Sequence, residues 1–310
     1  MALKSQHFKN PVTAKSGIMF YGDPHGVWWP LFDVVEHKKP DAIVILGDLV
    51  EPKRYPESVQ VARDALNKLL DAGIDVRLIS GNHDTDTVAA HDLVFEEFGA
   101  HLIDGKVVEL GRKKLRVAAL GGVFRGRIWY PRGVENGGET AKFHSASGLL
   151  AATPKSERFR NRIPLKQHST IFPETVRDLA QQKADILVCH EASSSHDFGF
   201  PVIDQLAADL GAKLIVHGHH HQAYSAHLKN GIRVRGVGMA EAWDLSESEI
   251  RGRINTSISV RPPRKASKTA RAYENFRHRK THAQRPPATA LHSQPSADCG
   301  VRLHERVAAG

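Results

Sequence analysis

Residues 18–26 of this chain read IMFYGDPHG, an apolar run that leads directly into a glycine-containing turn bearing an aspartate and a histidine. Residues 42–51, AIVILGDLVE, repeat this arrangement, with five apolar residues before Gly47 and Asp48. Short continuous apolar runs bounded by turns are typical of fully buried strands in an α/β sheet. Because open α/β sheets bind ligands at the carboxyl ends of their strands, the polar turns after these runs are candidate functional positions.

Similar patterns predict the rest of an α/β domain. Glu57–Ala72 has apolar residues three to four positions apart, which indicates an amphipathic helix that Gly73 is suited to end. Val202–Leu210 indicates a second helix. The remaining predicted strands are Val76–Ile79, the hairpin Lys106–Leu110 and Lys114–Leu120, Asp185–Cys189, Lys213–Val216 and Ile232–Val237. Residues 122–182 lack this alternation and are rich in Gly, Arg, Ser and Pro, so we expect a cap-like insertion there.

The composition is that of a soluble globular chain. Of its 310 residues, 41% are hydrophobic and 25% are charged, which excludes wholesale disorder and fibrous repeats. Two cysteines are too few for a disulfide framework, which fits a reducing compartment. The apolar runs are too short to span a bilayer, and the first 17 residues lack the apolar core of a secretory signal. We therefore expect a cytoplasmic protein with no membrane segment.

The positive charge is concentrated near the carboxyl end. Of the formal net charge of +9, residues 1–246 contribute +1 (30 Lys and Arg against 29 Asp and Glu) and residues 247–310 contribute +8 (13 against 5). Residues 247–310 also contain two Pro-Pro pairs and scattered Ser and Thr, a composition that predicts a disordered tail. We therefore divide the chain into a domain over 1–246 and a basic tail over 247–310, which is a candidate for contact with nucleic acid.

Five short polar motifs follow the predicted strands. In chain order they are Asp23-Pro24-His25, Gly47-Asp48, Asn82-His83-Asp84, Cys189-His190 and His219-His220-His221. Each motif alone is more often an ordinary turn, a helix cap or a core histidine than a ligand site. Together, their carboxylate, imidazole and amide groups form a donor set that suits Mn, Fe, Zn or Ni, among which the residues do not distinguish. No pair of thiolates accompanies the histidines, which argues against a structural zinc site.

The order of these motifs resembles the calcineurin-like metallophosphoesterase superfamily, which carries D-x-H, G-D-x-x-D, G-N-H-D/E, a lone His and G-H-x-H. All five blocks lie between Ile18 and His221. The resemblance implies an α/β fold, a calcineurin-like four-layer α/β/β/α sandwich of two mixed β-sheets. It also implies a hydrolase that cleaves a phosphate mono- or diester by attack of a metal-bridging hydroxide. The implied substrates are a phosphorylated small molecule, a nucleotide or a phosphoprotein.

The resemblance also implies a role for each matching residue. Asp23, His25 and His221 would hold one divalent metal ion. Asn82, His190 and His219 would hold the second ion, and Asp48 would bridge the two. His83 would act as the general acid that protonates the leaving oxygen, and Asp84 would orient its imidazole.

Several alternatives remain open at this point. Glu51 stands where the family usually has the last Asp of G-D-x-x-D, and Pro52-Lys53 replaces the continuation typical of protein serine/threonine phosphatases. Such a phosphatase, or a nuclease or cyclic-nucleotide phosphodiesterase of the same superfamily, is an alternative. A non-enzymatic scaffold with a nucleic-acid-binding tail is disfavoured, because all seven ligand positions are filled. Residues 124–166 hold nine Lys and Arg with interleaved aromatics, which indicates either a phosphate-binding lid or a solvated basic loop.

Overall fold

The computed structural model describes residues 17–131 and 140–245, all within Met1–Ile254, the first of two units into which the chain divides. The predicted tail at 247–310 and part of the predicted insertion lie outside the described residues. Within the described ranges, no helix is both long enough and apolar enough to cross a membrane.

The described residues contain ten strands and six α-helices. The strands are β1 Ile18–Gly22, β2 Ala42–Ile45, β3 Asp75–Leu78, β4 Val107–Leu110, β5 Leu115–Leu120, β6 Ile186–Cys189, β7 Leu214–His217, β8 Tyr224–His227, β9 Arg233–Gly236 and β10 Glu241–Asp244. The helices are α1 Trp29–Lys38, α2 Ser58–Asp71, α3 Val88–His91, α4 Ala146–Ala152, α5 Pro173–Ala180 and α6 Pro201–Leu210. A π-helical turn, Asp92–Glu97, continues α3, and short 3-10 helices lie at His83–Thr85, Lys155–Glu157 and Leu165–Ser169.

The strands form two mixed sheets. One has the order β10-β1-β2-β3 and the other the order β4-β5-β6-β7-β9-β8. Strands β1, β2 and β3 are parallel, as are β5, β6, β7 and β9, and the antiparallel partners β10, β4 and β8 lie at the edges. The predicted strands are confirmed. The sequence patterns did not indicate β8 and β10, because edge strands are partly exposed and lack a continuous apolar run.

Alternation along each strand builds four layers. Ile18 and Phe20 of β1 belong to a cluster between the two sheets, whereas Met19 and Tyr21 pack on the opposite face with α1 and α2. The outer face of the second sheet packs against α5 and α6. Successive side chains of a strand point to opposite faces, so a fully apolar strand contributes to two cores at once. This is the predicted four-layer α/β/β/α sandwich.

The predicted insertion at 122–182 is shorter in the structure. The chain leaves the second sheet near Val123 and returns at Thr170, where the two residues form an isolated parallel bridge. Helix α5 follows directly, and its Leu179 is buried in the same cluster as Leu206 of α6. The last part of the predicted insertion is therefore a regular element of the outer helical layer.

Candidate metal centre

The five motifs meet at one end of the sandwich. Each predicted ligand follows the carboxyl end of a parallel strand: the turns after β1, β2 and β3 belong to the first sheet, and those after β6 and β7 belong to the second. Parallel strands end at the same edge of a sheet, so turns far apart in sequence converge there. The structure brings all seven predicted ligands together at this edge.

The first group of ligand atoms comes from Asp23, His25 and His221, and they all lie within 4.8 Å of one another. The Nε2 atoms of His25 and His221 are 3.0 Å apart. The Asp23 carboxylate is fully buried and accepts the backbone N–H of His219 at 2.9 and 3.0 Å, which fixes its orientation. His221 is exposed, so this group opens to solvent.

The second group contains Asp48, His190 and His219, again within 4.8 Å. The Nδ1 atom of His190 lies 2.7 Å from the backbone oxygen of Leu46, which can only accept, so Nδ1 carries the proton and Nε2 faces the group. The amide oxygen of Asn82 lies 3.3 Å from that Nε2 atom. The predicted ligands Asn82, His190 and His219 are therefore assembled around one point.

Asp48, a member of the second group, also faces the first group. Its Oδ2 atom is 3.4 Å from His190 Nε2 and 3.7 Å from His25 Nε2, one histidine from each group. Its Oδ1 atom accepts the backbone N–H of His83 at 2.8 Å. A single carboxylate oxygen that faces both groups is the arrangement a bridging ligand requires.

Five of the ten described non-glycine residues with positive φ are predicted ligands. Asp23, His25, Asp48, His219 and His221 have φ values of 40°, 44°, 49°, 69° and 58°, in the left-handed region that non-glycine residues rarely occupy. Strained backbone of this kind persists where the surroundings hold it, and it clusters at functional sites. The strain therefore supports a functional role for the motif turns.

Two motif glycines allow the turns to approach closely. A Cβ atom on Gly81 would lie 2.3 Å from both the backbone nitrogen and Oδ1 of Asp48. A Cβ atom on Gly218 would lie 2.5 Å from Oδ2 of Asp23. These distances are far below van der Waals contact, so any side chain at either position would displace a predicted ligand.

Burial sets the protonation of the site. Burial and the neighbouring Asp48 carboxylate raise the pKa of Asp23. Burial by itself would lower the pKa of His190, but the Asp48 carboxylate raises it above its usual value. Burial lowers the pKa of His25 to about 4 and also lowers that of His219, so both rings are neutral at pH 7, as metal ligation requires.

The donor set fits divalent metal ions. Three acceptor atoms converge on one point: Nε2 of His190 lies 3.3 Å from Oδ1 of Asn82 and 3.4 Å from Oδ2 of Asp48. The Nδ1 atom of His219 is buried and has no hydrogen-bond partner among the described residues. Neutral imidazoles, carboxylates and an amide oxygen suit a borderline divalent cation, which would compensate the buried carboxylates.

His83 lies beside the first group, with its ring centroid 5.2 Å from that of His25, but its carboxylate partner differs from the expectation. Asp84 does not orient the imidazole. Its fully buried carboxylate instead accepts three backbone N–H groups. These come from Gly81 at 2.8 Å, Leu49 at 2.9 Å and Asp48 at 3.0 Å. The Nδ1 atom of His83 lies 2.9 Å from Oδ2 of Asp86.

Asp86 and its lysine partners were not among the predicted site residues. Lys166 donates to the backbone oxygen of Asn82 at 2.9 Å and pairs with Asp86, and Lys53 lies 3.2 Å from the same carboxylate. Burial would raise the pKa of Asp86, but these lysines and His83 hold it below its usual value. A second aspartate three residues after His83 was a signal available in the sequence, whereas nothing local marks Lys166.

Other positive charges of the insertion pair with the protein itself. The pairs are Arg160 with Asp92, Arg162 with Glu96, and Arg158 with the backbone oxygens of Thr153 and Leu150. Arg125 donates to Thr170 at 3.0 Å and to Ser169 at 3.1 Å, and burial lowers its pKa. The contacts therefore favour a structural role for these arginines: Arg160 and Arg162 dock the insertion onto the domain, and the other two bond within the insertion.

Comparison with known proteins identifies the family of this chain. Residues 17–223 match the family of calcineurin-like phosphoesterases. An uncharacterized protein of Haemophilus influenzae is 34% identical over 228 residues, which cover 73% of this chain and 93% of that protein.

Two solved structures are among those to which this chain is similar. They are TT1561 of Thermus thermophilus (13% identity, 73% of this chain and 91% of that chain, TM-score 0.43) and a dimetal phosphatase of Danio rerio (12% identity, 73% and 88%, TM-score 0.44). The match over 17–223 covers most of the chain, which therefore belongs to the calcineurin-like phosphoesterase family.

Proposed function

We propose that this chain hydrolyses a phosphate mono- or diester with the help of two divalent metal ions. The observation that carries the proposal is the position of Asp48 Oδ2, which faces His25 of one ligand group and His190 of the other. A pair of bound ions would lower the pKa of a water nucleophile and neutralise charge on the phosphoryl oxygens.

In this proposal different residues of the chain bind the metal ions, donate the proton and anchor the ligand-bearing turns. Asp23, His25 and His221 would hold one ion, Asn82, His190 and His219 would hold the other, and Asp48 would contribute to both. His83, about one-third exposed, lies at the rim beside His25 and donates a proton to the leaving oxygen. Asp84 ties the Asp48 and Asn82 turns together through the backbone N–H groups it accepts.

The experiment is a metal-by-metal activity screen on the full chain. Protein stripped with a chelator is loaded separately with Mn, Fe, Zn or Ni and assayed on p-nitrophenyl phosphate and bis-p-nitrophenyl phosphate. We expect turnover that depends on added metal and is absent from the chelated sample. Preference for the first ester indicates a monoesterase, and preference for the second indicates a diesterase of the nuclease or cyclic-nucleotide type.

Two outcomes would refute the proposal. One is the lack of any hydrolysis by metal-loaded protein on a broad panel of phosphoesters, which would favour the scaffold alternative. The other is full activity in an Asp48→Ala variant, which would place the chemistry elsewhere in the molecule. His37→Ala is a suitable control, because His37 is an exposed histidine in the last turn of α1.

A further inference from the structure

The ring of His83 is held by a carboxylate outside the family motif. Its Nδ1 atom lies 2.9 Å from Asp86 Oδ2, whereas Glu51, the residue at the end of the G-D-x-x-D block, is 3.5 Å away. Residues three apart in a 3-10 helix lie above one another, so the helix His83–Thr85 brings the two side chains together. Asp86 is therefore the nearer partner, and its placement follows from local geometry.

The other two candidate carboxylates contact His83 less closely or do not contact it. Asp84 accepts three backbone N–H groups and is fully buried beneath the turn. Glu51 Oε2 lies 3.1 Å from Nδ1 of His25. Asp86 Oδ2 is thus the carboxylate oxygen best placed to fix the His83 ring.

Asp86 is itself held by a lysine of the insertion. Lys166 pairs with Asp86 Oδ1 and donates to the backbone oxygen of Asn82 at 2.9 Å. One ammonium group thus contacts the partner of His83 and the backbone of a predicted ligand. The Asp86 side chain is only 4% exposed, so a buried carboxylate there requires such compensation.

The position of Lys166 is fixed by the docking of the insertion. Lys166 lies in the helix Leu165–Ser169, and Ser169 Oγ is 2.7 Å from Oγ1 of Thr85, the residue before Asp86. Arg125 donates to the same Ser169 oxygen at 3.1 Å. The insertion and the His83 turn are therefore packed as one unit.

We propose that Asp86 is the positioning residue for the His83 general acid and that Lys166 of the insertion holds Asp86 in place. The inference rests on the proposed function. Asp86 Oδ2 accepts the Nδ1–H of His83, and in the doubly protonated ring Nε2 carries the second proton, which is the one transferred. As water adds to phosphorus and the bond to the leaving oxygen breaks, that oxygen takes the Nε2 proton, and solvent then reprotonates the neutral ring. The insertion thus completes the catalytic site.

The test compares variants of the full metal-loaded chain on aryl phosphates with leaving groups of increasing basicity, from p-nitrophenyl to phenyl. A positioned general acid contributes roughly 10²–10⁴-fold, and it matters most for basic leaving groups. We expect Asp86→Asn to lower kcat on phenyl phosphate by about 10-fold or more, with a smaller loss on the nitrophenyl ester. Lys166→Met should act in the same direction, and Lys166→Arg should restore part of the loss.

Three readouts separate positioning from a structural role. The double variant His83→Ala/Asp86→Asn should be no slower than His83→Ala, because Asp86 acts through His83. Metal content should stay at the wild-type level, and the variants should remain folded at the assay temperature. In ¹⁵N NMR spectra of the histidine rings, the His83 signals, assigned by their loss in His83→Ala, should show Nδ1 protonated in wild type and altered in Asp86→Asn. Asp71→Asn and Lys155→Met, at exposed positions away from the site, are the matched controls.

Equal losses on all esters, additive losses in the double variant, or an unchanged His83 spectrum in Asp86→Asn would overturn the inference. If Asp86→Asn does not fold, the leaving-group dependence of Lys166→Met decides. Wild-type leaving-group dependence in Lys166→Met would overturn the role of the insertion. Wild-type protein that is inactive with every metal refutes the proposed function. Active wild-type protein with additive losses refutes only this inference.

Discussion

Replacing Asp84 with Asn distinguishes a structural clamp from a catalytic partner of His83. In the structure, Oδ2 accepts N–H groups from Gly81 and Asp48, and Oδ1 accepts that of Leu49. An asparagine keeps the shape but offers one oxygen, so its NH₂ group faces a backbone N–H wherever the oxygen is placed. Asp84→Asn therefore removes one charge-assisted hydrogen bond and leaves one buried donor unpaired.

The magnitude follows from these contacts. A hydrogen bond to a charged group contributes about 1.5–3 kcal/mol, and an unpaired buried donor costs about 1–3 kcal/mol. Burial and the nearby Asp48 raise the pKa of Asp84, so loss of its charge offsets part of this cost. We expect the free energy of unfolding to fall by about 2–4 kcal/mol, which in a domain of this size lowers Tm by roughly 4–16 °C.

The assay is urea unfolding of metal-free and metal-loaded protein, followed by circular dichroism, with metal content measured on the same samples. We expect Asp84→Asn to lower both the unfolding midpoint and the metal content, because the Asp48 and Asn82 turns lose their common anchor. Asp71→Asn, an exposed change at the end of α2, should change neither. Unchanged stability and metal content with a slower reaction would refute the reasoning and return Asp84 to the role of a partner for His83.

Three further perturbations test other parts of the site. His83→Ala is expected to slow the reaction mainly for poor leaving groups with metal content intact, and metal loss in that variant would show that His83 is a ligand. Gly81→Ala should reduce metal content measured by mass spectrometry, because its Cβ would lie 2.3 Å from Asp48 Oδ1, and normal loading would contradict the close approach. Removal of residues 247–310 should leave the metal content unchanged, since every predicted ligand lies between Asp23 and His221, and loss of metal would show that the domain boundary is wrong.

The seven candidate ligands could be predicted because each lies in a short motif after a strand and because the order of the motifs resembles that of the calcineurin-like phosphoesterases. An apolar run such as Ala42–Ile45 predicts a buried strand locally, and the end of that strand fixes where Asp48 lies. Edge strand β8 escaped prediction because its half-exposed residues form no continuous apolar run. Edge strand β10 escaped prediction because its pairing partner β1 is distant in sequence. The same dependence on neighbours set the end of the insertion, where Leu179 packs with α6.

Local sequence was therefore sufficient for the α/β class, most strands and the ligand motifs, because hydrophobic periodicity and strand ends are properties of a few adjacent residues. It could not choose between Asp84 and Asp86 as the partner of His83. That choice depends on which backbone N–H groups approach each carboxylate. The backbone N–H of Asp48, 36 residues away in sequence, donates to the Asp84 carboxylate. Lys166 is 80 residues from Asp86 in sequence, and only the docking of the insertion brings the two side chains into contact. Lys166 therefore became a candidate site residue only through the tertiary structure.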